Sequence, residues 1–340
     1  EKLEKSYKSG LTKPNMEGDD GMAHPTQKEI AERTGFSIAT VSRALAGSPL
    51  ISARTRREVM ACARETGYRD EVCREVAVIM PDVPYGAYFG TLLHQLQEEL
   101  RRNRFVPVIF STLELHVLEK MQFCGAISLL AHNGLEAYWG ARHTIPLVCI
   151  NTRPRHLDGI FTVGSNDVQG MRSAVGHLIQ LGHRRIGRLG GGYSFGDRTN
   201  WNSYARDLAF RDLMAEHGLP AELRVAVEAQ SVPEAVRQLL DMRVTAMILL
   251  NEGMELEAMH ALRLLNVRVP EMLSVVGWSS DAVAPFLEPS LTNLEQNYTE
   301  LVRCGCEIFQ KLLNGEPVAG DILVDYHFRV RSSTAPPPVA

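Results

Sequence analysis

The sequence predicts an N-terminal all-α helix-turn-helix head followed by an α/β body of two doubly wound parallel-sheet lobes. Three observations carry this expectation. Residues 26–47 read "TQKEIAERTGFSIATVSRALAG", two short amphipathic runs broken by Thr34-Gly35-Phe36-Ser37. From about residue 76 onward, continuous apolar runs alternate with longer amphipathic ones, the pattern of parallel strands covered on both faces by helices. Charge is also unevenly placed: the chain is net -4, yet residues 26–69 hold eight Lys/Arg against four acids, while residues 1–25 hold four Lys and five acids. A basic head (+4) therefore precedes a body of charge -7, the asymmetry expected when only the head meets a polyanion.

In the head, Thr26 and Glu29 have capping-box spacing, which predicts a helix of about nine residues ending at Gly35. Ser37 then caps a second run, "IATVSRALA", in which Val41, Ala44 and Leu45 share one face while Ile38, Ala39, Ser42 and Arg43 lie on or beside the other. A third helix is expected over 52–66, with Val59 and Ala63 inward, Arg54, Arg56, Arg57 and Arg64 largely outward, and Gly67 as its stop. Three short helices with a Gly-containing turn between the first two make a helix-turn-helix, whose second helix enters the major groove.

The stretch "EIAERTGFSIATVSRALAGSPLISARTRREVMACARETGY" resembles the head of the LacI family of bacterial transcription regulators, most specifically in "TVSRAL" and the downstream "GY". By that resemblance Ile38, Ala39 and Arg43 face base edges, and Ser37, Thr40, Ser42 and Thr55 hold phosphates. The side chains suit those roles: Arg can take guanine O6 and N7 bidentately, and Ile or Ala can touch a thymine methyl. Where the family usually has Asn before a Gly, this chain has Ala46.

Past Tyr68 the connector "RDEVCRE" holds three acids and two arginines. The family places there a longer segment with a short helix that wedges a leucine into the minor groove. No such helix fits here, so contact through the major groove and phosphates alone is expected. The organisation read from the sequence is a disordered arm over 1–25, a DNA-binding head over 26–69, a short linker over 70–75 and an effector-binding and dimerisation body over 76–334.

Strands are expected at "VAVIMPD", "FVPVIFS", "GAISLLA", "PLVCIN", "IFTVG", "RRIGRLG", "RVAVEA", "AMILLN", "LSVVGWS" and "DILVDYHFRV". Helices are expected at 88–102, 167–181, 201–217, 233–242, 254–265 and 299–313. Two such sheets fit the roughly 260 residues of the body, with a cleft at the carboxyl ends of their strands. The stretches "AVGHLIQLGHRRIGRLGG", "AFRDLMAEHGLP", "NVRVPEMLSVVGWSSD" and "PSLTNLEQ" again resemble the LacI family, whose body is similar to periplasmic sugar-binding proteins. The resemblance implies three crossings between lobes, expected near 151–160, 288–295 and 316–321. Lobe one would then take 76–151 and 296–316, and lobe two 160–288 and 321–331. It also implies a ligand cleft lined by Asp82, Tyr88, Arg206, Asn251, Trp278, Ser279 and Gln296. The chain departs from the family at Trp278-Ser279-Ser280, where an Asp usually follows the aromatic residue, and at Glu252, where Asp is usual. Trp278 would offer a stacking face, while Ser279 would remove a carboxylate, pointing to a less hydroxylated or anionic metabolite, or an unusual sugar.

One rival motif is Gly192-Tyr193-Ser194-Phe195-Gly196, a G-x-S-x-G with Asp281 and His327 downstream in the order of an α/β-hydrolase. The elbow needs a helix directly after Ser194, and "GDRTNW" reads as polar loop. Cysteines at 62, 73, 124, 149, 304 and 306 lack C-x-x-C spacing, so neither metal nor cofactor is expected. With no run of 18 apolar residues and a polar start, the expected compartment is the cytoplasm, without a membrane partner. The function read from the sequence is a homodimeric regulator, a repressor, that binds a near-palindromic double-stranded DNA operator under control of a small-molecule effector.

Overall fold

The computed structural model describes residues 26–45, 48, 50–66, 68, 74–82, 87–121, 123–129, 135, 139, 145–152, 160–190, 201–227 and 231–338. The chain forms two compact units, Glu1–Val72 and Cys73–Ala340. The expected arm, most of the linker, Ala46 and the G-x-S-x-G segment lie outside the described residues.

The first unit holds α1 (Gln27–Thr34), α2 (Ile38–Leu45) and α3 (Ala53–Thr66). Thr26 Oγ1 accepts from the Glu29 amide at 3.3 Å, but the Glu29 carboxylate turns to Arg33 at 3.2 Å, so only half of the capping box forms. Gly35, at φ 74°, ends α1 in the left-handed region that costs Gly least, and its N–H reaches the Ala31 carbonyl at 2.9 Å. Ser37 Oγ accepts from the Thr40 amide at 3.1 Å and Ser52 Oγ from the Thr55 amide at 3.1 Å, so α2 and α3 start on the same kind of hydroxyl cap. Ile30, Ala31, Val41, Ala44, Val59, Cys62 and Ala63 form the core, flanked by Phe36, Leu45, Ile51 and Tyr68. Arg56 departs from its expected outward position: it is half-buried, and its Nη2 donates to the Ser48 carbonyl at 2.7 Å, tying α3 to the segment after α2.

The second unit contains two six-stranded sheets. The first comprises β1 (Glu75–Met80), β2 (Val106–Ser111), β3 (Gly125–Leu129), β4 (Leu147–Ile150), β5 (Phe161–Ser165) and β11 (Ile322–Val324), ordered β11-β5-β4-β3-β1-β2 and parallel throughout. The second comprises β6 (Ile186–Gly190), β7 (Arg224–Ala226), β8 (Ala246–Leu249), β9 (Ser274–Trp278), β10 (Thr292–Glu295) and β12 (His327–Arg329), ordered β12-β10-β9-β8-β6-β7, with only β12 antiparallel. The strand pleat divides each core in two. Val76, Val78 and Met80 of β1 pack under α4 (Ala87–Arg102) and α9 (Tyr298–Leu313), while Ala77 and Ile79 face Phe110, Leu115 and Phe123 on the other side. In the second sheet Met247 and Leu249 face α7 (Val232–Asp241) and α8 (Met254–Leu264). Ala246 and Ile248 face α5 (Asp167–Gln180) and α6 (Trp201–Glu216).

Sheet membership corrects the expected crossings. β5 pairs with β4 and β11 with β5, so both belong to the first sheet, and the chain changes lobes at 165–166, 296–297 and 325–326. The run "DILVDYHFRV" is two strands in different sheets, separated at Asp325-Tyr326. Its continuous apolar pattern reports burial, which both sheets supply, and carries no information on which sheet supplies it. The three crossings are laced together: Asn166 Nδ2 donates to Asp325 at 2.8 Å, Ser165 Oγ to Gln296 Oε1 at 2.9 Å, and the Tyr326 amide to Gln169 Oε1 at 3.0 Å.

Candidate nucleic-acid interface and inter-lobe site

On α2, Val41 and Ala44 are buried while Ile38 is 52% exposed and Ala39, Ser42 and Arg43 stand beside it in solvent. An exposed isoleucine flanked by a small residue, a hydroxyl and a guanidinium is an unusual face for a solvated helix of a small bundle, and these groups are of the kinds that meet methyl groups and acceptors on base edges. Ser37 and Thr40 share a hydroxyl contact of 2.9 Å at the start of α2, and Ser52 and Thr55 share one of 2.9 Å at the start of α3. Helix starts that expose hydroxyls and amide N–H groups together suit phosphate oxygens.

Side chains from the carboxyl edges of both sheets meet in the second unit. From the first lobe come Tyr88 on α4, Asn151 just past β4, Ser165 ending β5 and Tyr298 opening α9. Asn151 sits at φ 54°; its Nδ2 donates to Tyr88 Oη at 2.7 Å and to Gln296 Oε1 at 2.5 Å, and its Oδ1 accepts from the Ser165 amide at 2.9 Å. Tyr88 and Tyr298 have ring centroids 5.8 Å apart. Tyr298 Oη then crosses to the second lobe and donates to Glu252 Oε2 at 2.8 Å.

In the second lobe, Arg206 is 6% exposed. Its Nε donates to Asp167 Oδ1 at 2.7 Å, its Nη1 to the Leu250 carbonyl at 2.6 Å and its Nη2 to Tyr326 Oη at 2.9 Å, while Tyr326 donates to Asp167 Oδ1 at 2.7 Å. Burial works against the charge of Arg206, but Tyr326 and Asp167 outweigh it and hold the group more firmly protonated than usual. Gly170 on α5 permits this closeness, because a Cβ there would lie 2.8 Å from the Tyr326 ring and 3.3 Å from Trp278.

Two expectations for this site are corrected. Trp278 is 2% exposed, with the Arg206 guanidinium 5.0 Å from its ring centroid and the Tyr326 ring set edge-on at 5.7 Å, so it supports Arg206 and offers no open stacking face. Ser279 does not remove a carboxylate from the site: its Oγ donates to Glu255 Oε1 at 2.9 Å, and the other Glu255 oxygen accepts from the Gly253 amide at 2.7 Å. Glu255, in the first turn of α8, thus supplies a carboxylate next to Ser279. Asn251 is half-buried past β8, Gln296 is buried in the crossing, and Asp82 is exposed beyond β1. Asn151, Ser165, Asp167, Glu255, Tyr298 and Tyr326 were not singled out from the sequence. Asp167 and Tyr298 carried a partial signal, since each lies at or next to the start of a helix expected from the sequence.

Glu252 stands apart. Burial pushes its carboxyl up to about 7, Tyr298 pulls the other way, and Glu255 and Glu295 add to the rise against Arg206. Oε2 is taken by Tyr298, while Oε1 is buried without a hydrogen-bond partner.

Residues 26–71 match the family of bacterial regulatory proteins, lacI family, and residues 175–334 match the periplasmic binding protein-like domain. The chain belongs to the LacI family of transcription regulators. Among the curated relatives of this LacI-family chain, the HTH-type transcriptional regulator AscG of Escherichia coli (strain K12) is 28% identical over 316 residues, covering 85% of this chain and 91% of AscG. Among solved structures, the transcriptional regulator CelR-cellobiose complex superposes with a TM-score of 0.68 at 24% identity, covering 91% of this chain and all of that one. The lac repressor dimer bound to operator and the anti-inducer ONPF gives 0.67 at 20% identity and 92% coverage. At those identities the likeness is one of fold.

The hydrolase alternative finds no support from its other two members. Asp281 is engaged by Arg331 at 2.6 Å and Arg329 at 3.6 Å, and His327 is exposed on β12. Among the described residues, no group of His, Cys, Asp and Glu could hold a metal ion, and no helix is long and apolar enough to cross a membrane.

Proposed function

We propose that this LacI-family chain is a cytoplasmic repressor that binds a near-palindromic operator as a homodimer and is controlled by a small molecule, a sugar or related metabolite, held between its two lobes. The observation that carries the reading is the recognition face of α2, with Ile38, Ala39, Ser42 and Arg43 exposed over buried Val41 and Ala44. Arg43 reads a guanine edge, Ile38 and Ala39 meet thymine methyls, and Ser37, Thr40, Ser42 and Thr55 hold phosphates. Tyr88, Arg206, Asn251 and Gln296 line the effector site, Asp82 stands at its mouth, and Ser279 acts through Glu255. An effector bound more tightly by one lobe orientation shifts the population toward it, and the paired subunits convert that shift into a change in operator affinity. The sequence "RDEVCRE" does not suit a hinge helix, so DNA contact runs through the major groove and phosphates.

In vitro selection of DNA from a random pool tests this, with Arg43→Ala as control. An inverted repeat recovered by the native chain and lost with the variant supports the reading, and its half-site spacing gives the dimer geometry. Failure to enrich any sequence, with or without a metabolite extract, counts against it.

A further inference from the structure

The inter-lobe site has an uneven charge inventory. Its one buried cation among the described residues, Arg206, is already neutralised by Asp167. Around Glu252 stand Glu255 on α8, Glu295 at the end of β10, and the hydroxyls of Tyr298 and Tyr88. Glu255 and Glu295 both disfavour a negative charge on Glu252, and the Arg206 charge opposes them. The carboxylate nevertheless presents a buried oxygen, Oε1, without a partner. A second buried polar group at the same edge of the second sheet is also unsatisfied: Ser280, 5% exposed, has a hydroxyl with no hydrogen-bond partner. Buried polar atoms left unpaired each cost stability and are rare unless something else satisfies them. An anionic ligand would add repulsion to an already acidic place, and a purely apolar one would leave both atoms unpaired. A donor with positive charge answers the carboxylate and relieves its repulsion from Glu255 and Glu295.

We propose that the effector of this site carries a protonated amine that seats on the Glu252 carboxylate, with the Ser280 hydroxyl as a further polar partner. The proposal rests on the inter-lobe site being the effector site. Tyr298 continues to donate to Oε2, while the ammonium donates to Oε1. Where Glu252 holds a proton in the empty protein, binding the ammonium displaces it to solvent: the carboxylic acid and the ammonium become an ion pair plus one released proton. Amine binding is therefore linked to proton release, and the same ligand with a hydroxyl in place of the amine has no such linkage.

The test uses the full chain and matched probe pairs: glucamine against sorbitol, glucosamine against glucose, galactosamine against galactose. Calorimetry in buffers of different ionisation enthalpy reads affinity and proton exchange together. The expected result is at least one amine bound about tenfold or more tightly than its hydroxyl partner, as a charge-assisted bond implies. About half a proton should be released near pH 7, and affinity for glucamine should rise about tenfold from pH 6 to pH 8. Glu252→Gln, which can keep the Tyr298 bond, should erase both the preference and the proton release, with its unfolding temperature showing that it folds. Hydroxyl members binding as well as or better than amines would overturn the proposal while leaving the effector site in place. Binding of no pair member overturns it too, and a metabolite extract that leaves operator binding unaltered would show that the effector reading itself had failed.

Discussion

Tyr326 and Asp167 hold each other across two lobe crossings, with the tyrosine hydroxyl donating to the carboxylate at 2.7 Å and both side chains buried. Asp167 opens the helix that follows the first crossing, and Tyr326 lies in the third. Arg206 completes the triangle by donating to both. The arrangement places an ion-paired guanidinium at the carboxyl edge of the second sheet and fixes its direction, because a buried guanidinium held at Nε, Nη1 and Nη2 has little freedom to turn.

Tyr326→Phe keeps the ring against Trp278 and removes only the hydroxyl. Asp167 loses a donor and Arg206 an acceptor, both in a buried setting, so the cost should be about 1–3 kcal/mol. Chemical denaturation of the variant measures it. A loss below a few tenths of a kcal/mol would mean that water replaces the hydroxyl without penalty. Gly170→Ala should destabilise by crowding the same ring, and the two changes should couple, because a ring no longer anchored by its hydroxyl can yield to the added methyl.

The Ser279–Glu255 bond brings a carboxylate to the serine from the first turn of α8. Restoring the carboxylate with Ser279→Asp would set it against Glu255 in a buried position, and repulsion between like charges should destabilise the protein more than Ser279→Ala does. Adding Glu255→Gln to Ser279→Asp should recover most of that loss. A double-mutant cycle on unfolding free energies gives the coupling, and a cycle that closes near zero would sever the link between the two positions.

Which parts of this structure were readable in advance follows from what periodicity encodes. The head was legible because its helices are short, each with a local start signal: Thr26, Ser37 and Ser52 lie where the caps form, and Gly35 is the stop. The strands of the body were legible because they are apolar runs between helices. Sheet membership was not, because β5 and β11 look the same whichever lobe buries them. At the inter-lobe site, Arg206 could be located by resemblance, but its partners Asp167 and Tyr326 are 39 and 120 residues away, so only the folded chain brings them together. Trp278 was read as a ligand face because the resemblance to sugar-binding proteins put an aromatic residue there for stacking; here Tyr326 and Arg206 occupy that place.

In the head, stability and recognition lie on opposite faces of α2 and can be separated by substitution. Ile30→Ala opens a cavity in a core that holds seven buried side chains among the described residues and should cost about 2–5 kcal/mol, lowering DNA binding through unfolding of the head. Arg43→Ala, at an exposed position, should leave the unfolding transition within about 0.5 kcal/mol of the native chain and still weaken binding to the selected operator. The loss should be concentrated on one base pair, about 1–3 kcal/mol of discrimination, if Arg43 reads a guanine edge. A uniform loss across operator variants, with a shallower salt dependence, would instead assign Arg43 to a phosphate.

Glu252 should leave a mark on the pH dependence of the empty protein. Its carboxyl is raised to about 7 in the folded state from 4.5, so between those values the folded protein binds more protons than the unfolded chain. Stability contributed by this group is therefore full below about pH 4.5 and falls as the pH rises through about 7. Glu252→Gln removes that slope, so the variant should gain on the native chain as the pH rises, melting higher at pH 8 and losing the advantage near pH 5. The cause is burial, to which Glu255 and Glu295 add, so Glu255→Gln should lower the Glu252 transition without abolishing it. Melting curves of the three proteins across pH 5 to 8 decide the matter. Parallel curves for the native chain and Glu252→Gln would mean that the carboxylate is solvated in the folded state, and the cost of burying its charge would then play no part in how the two lobes meet.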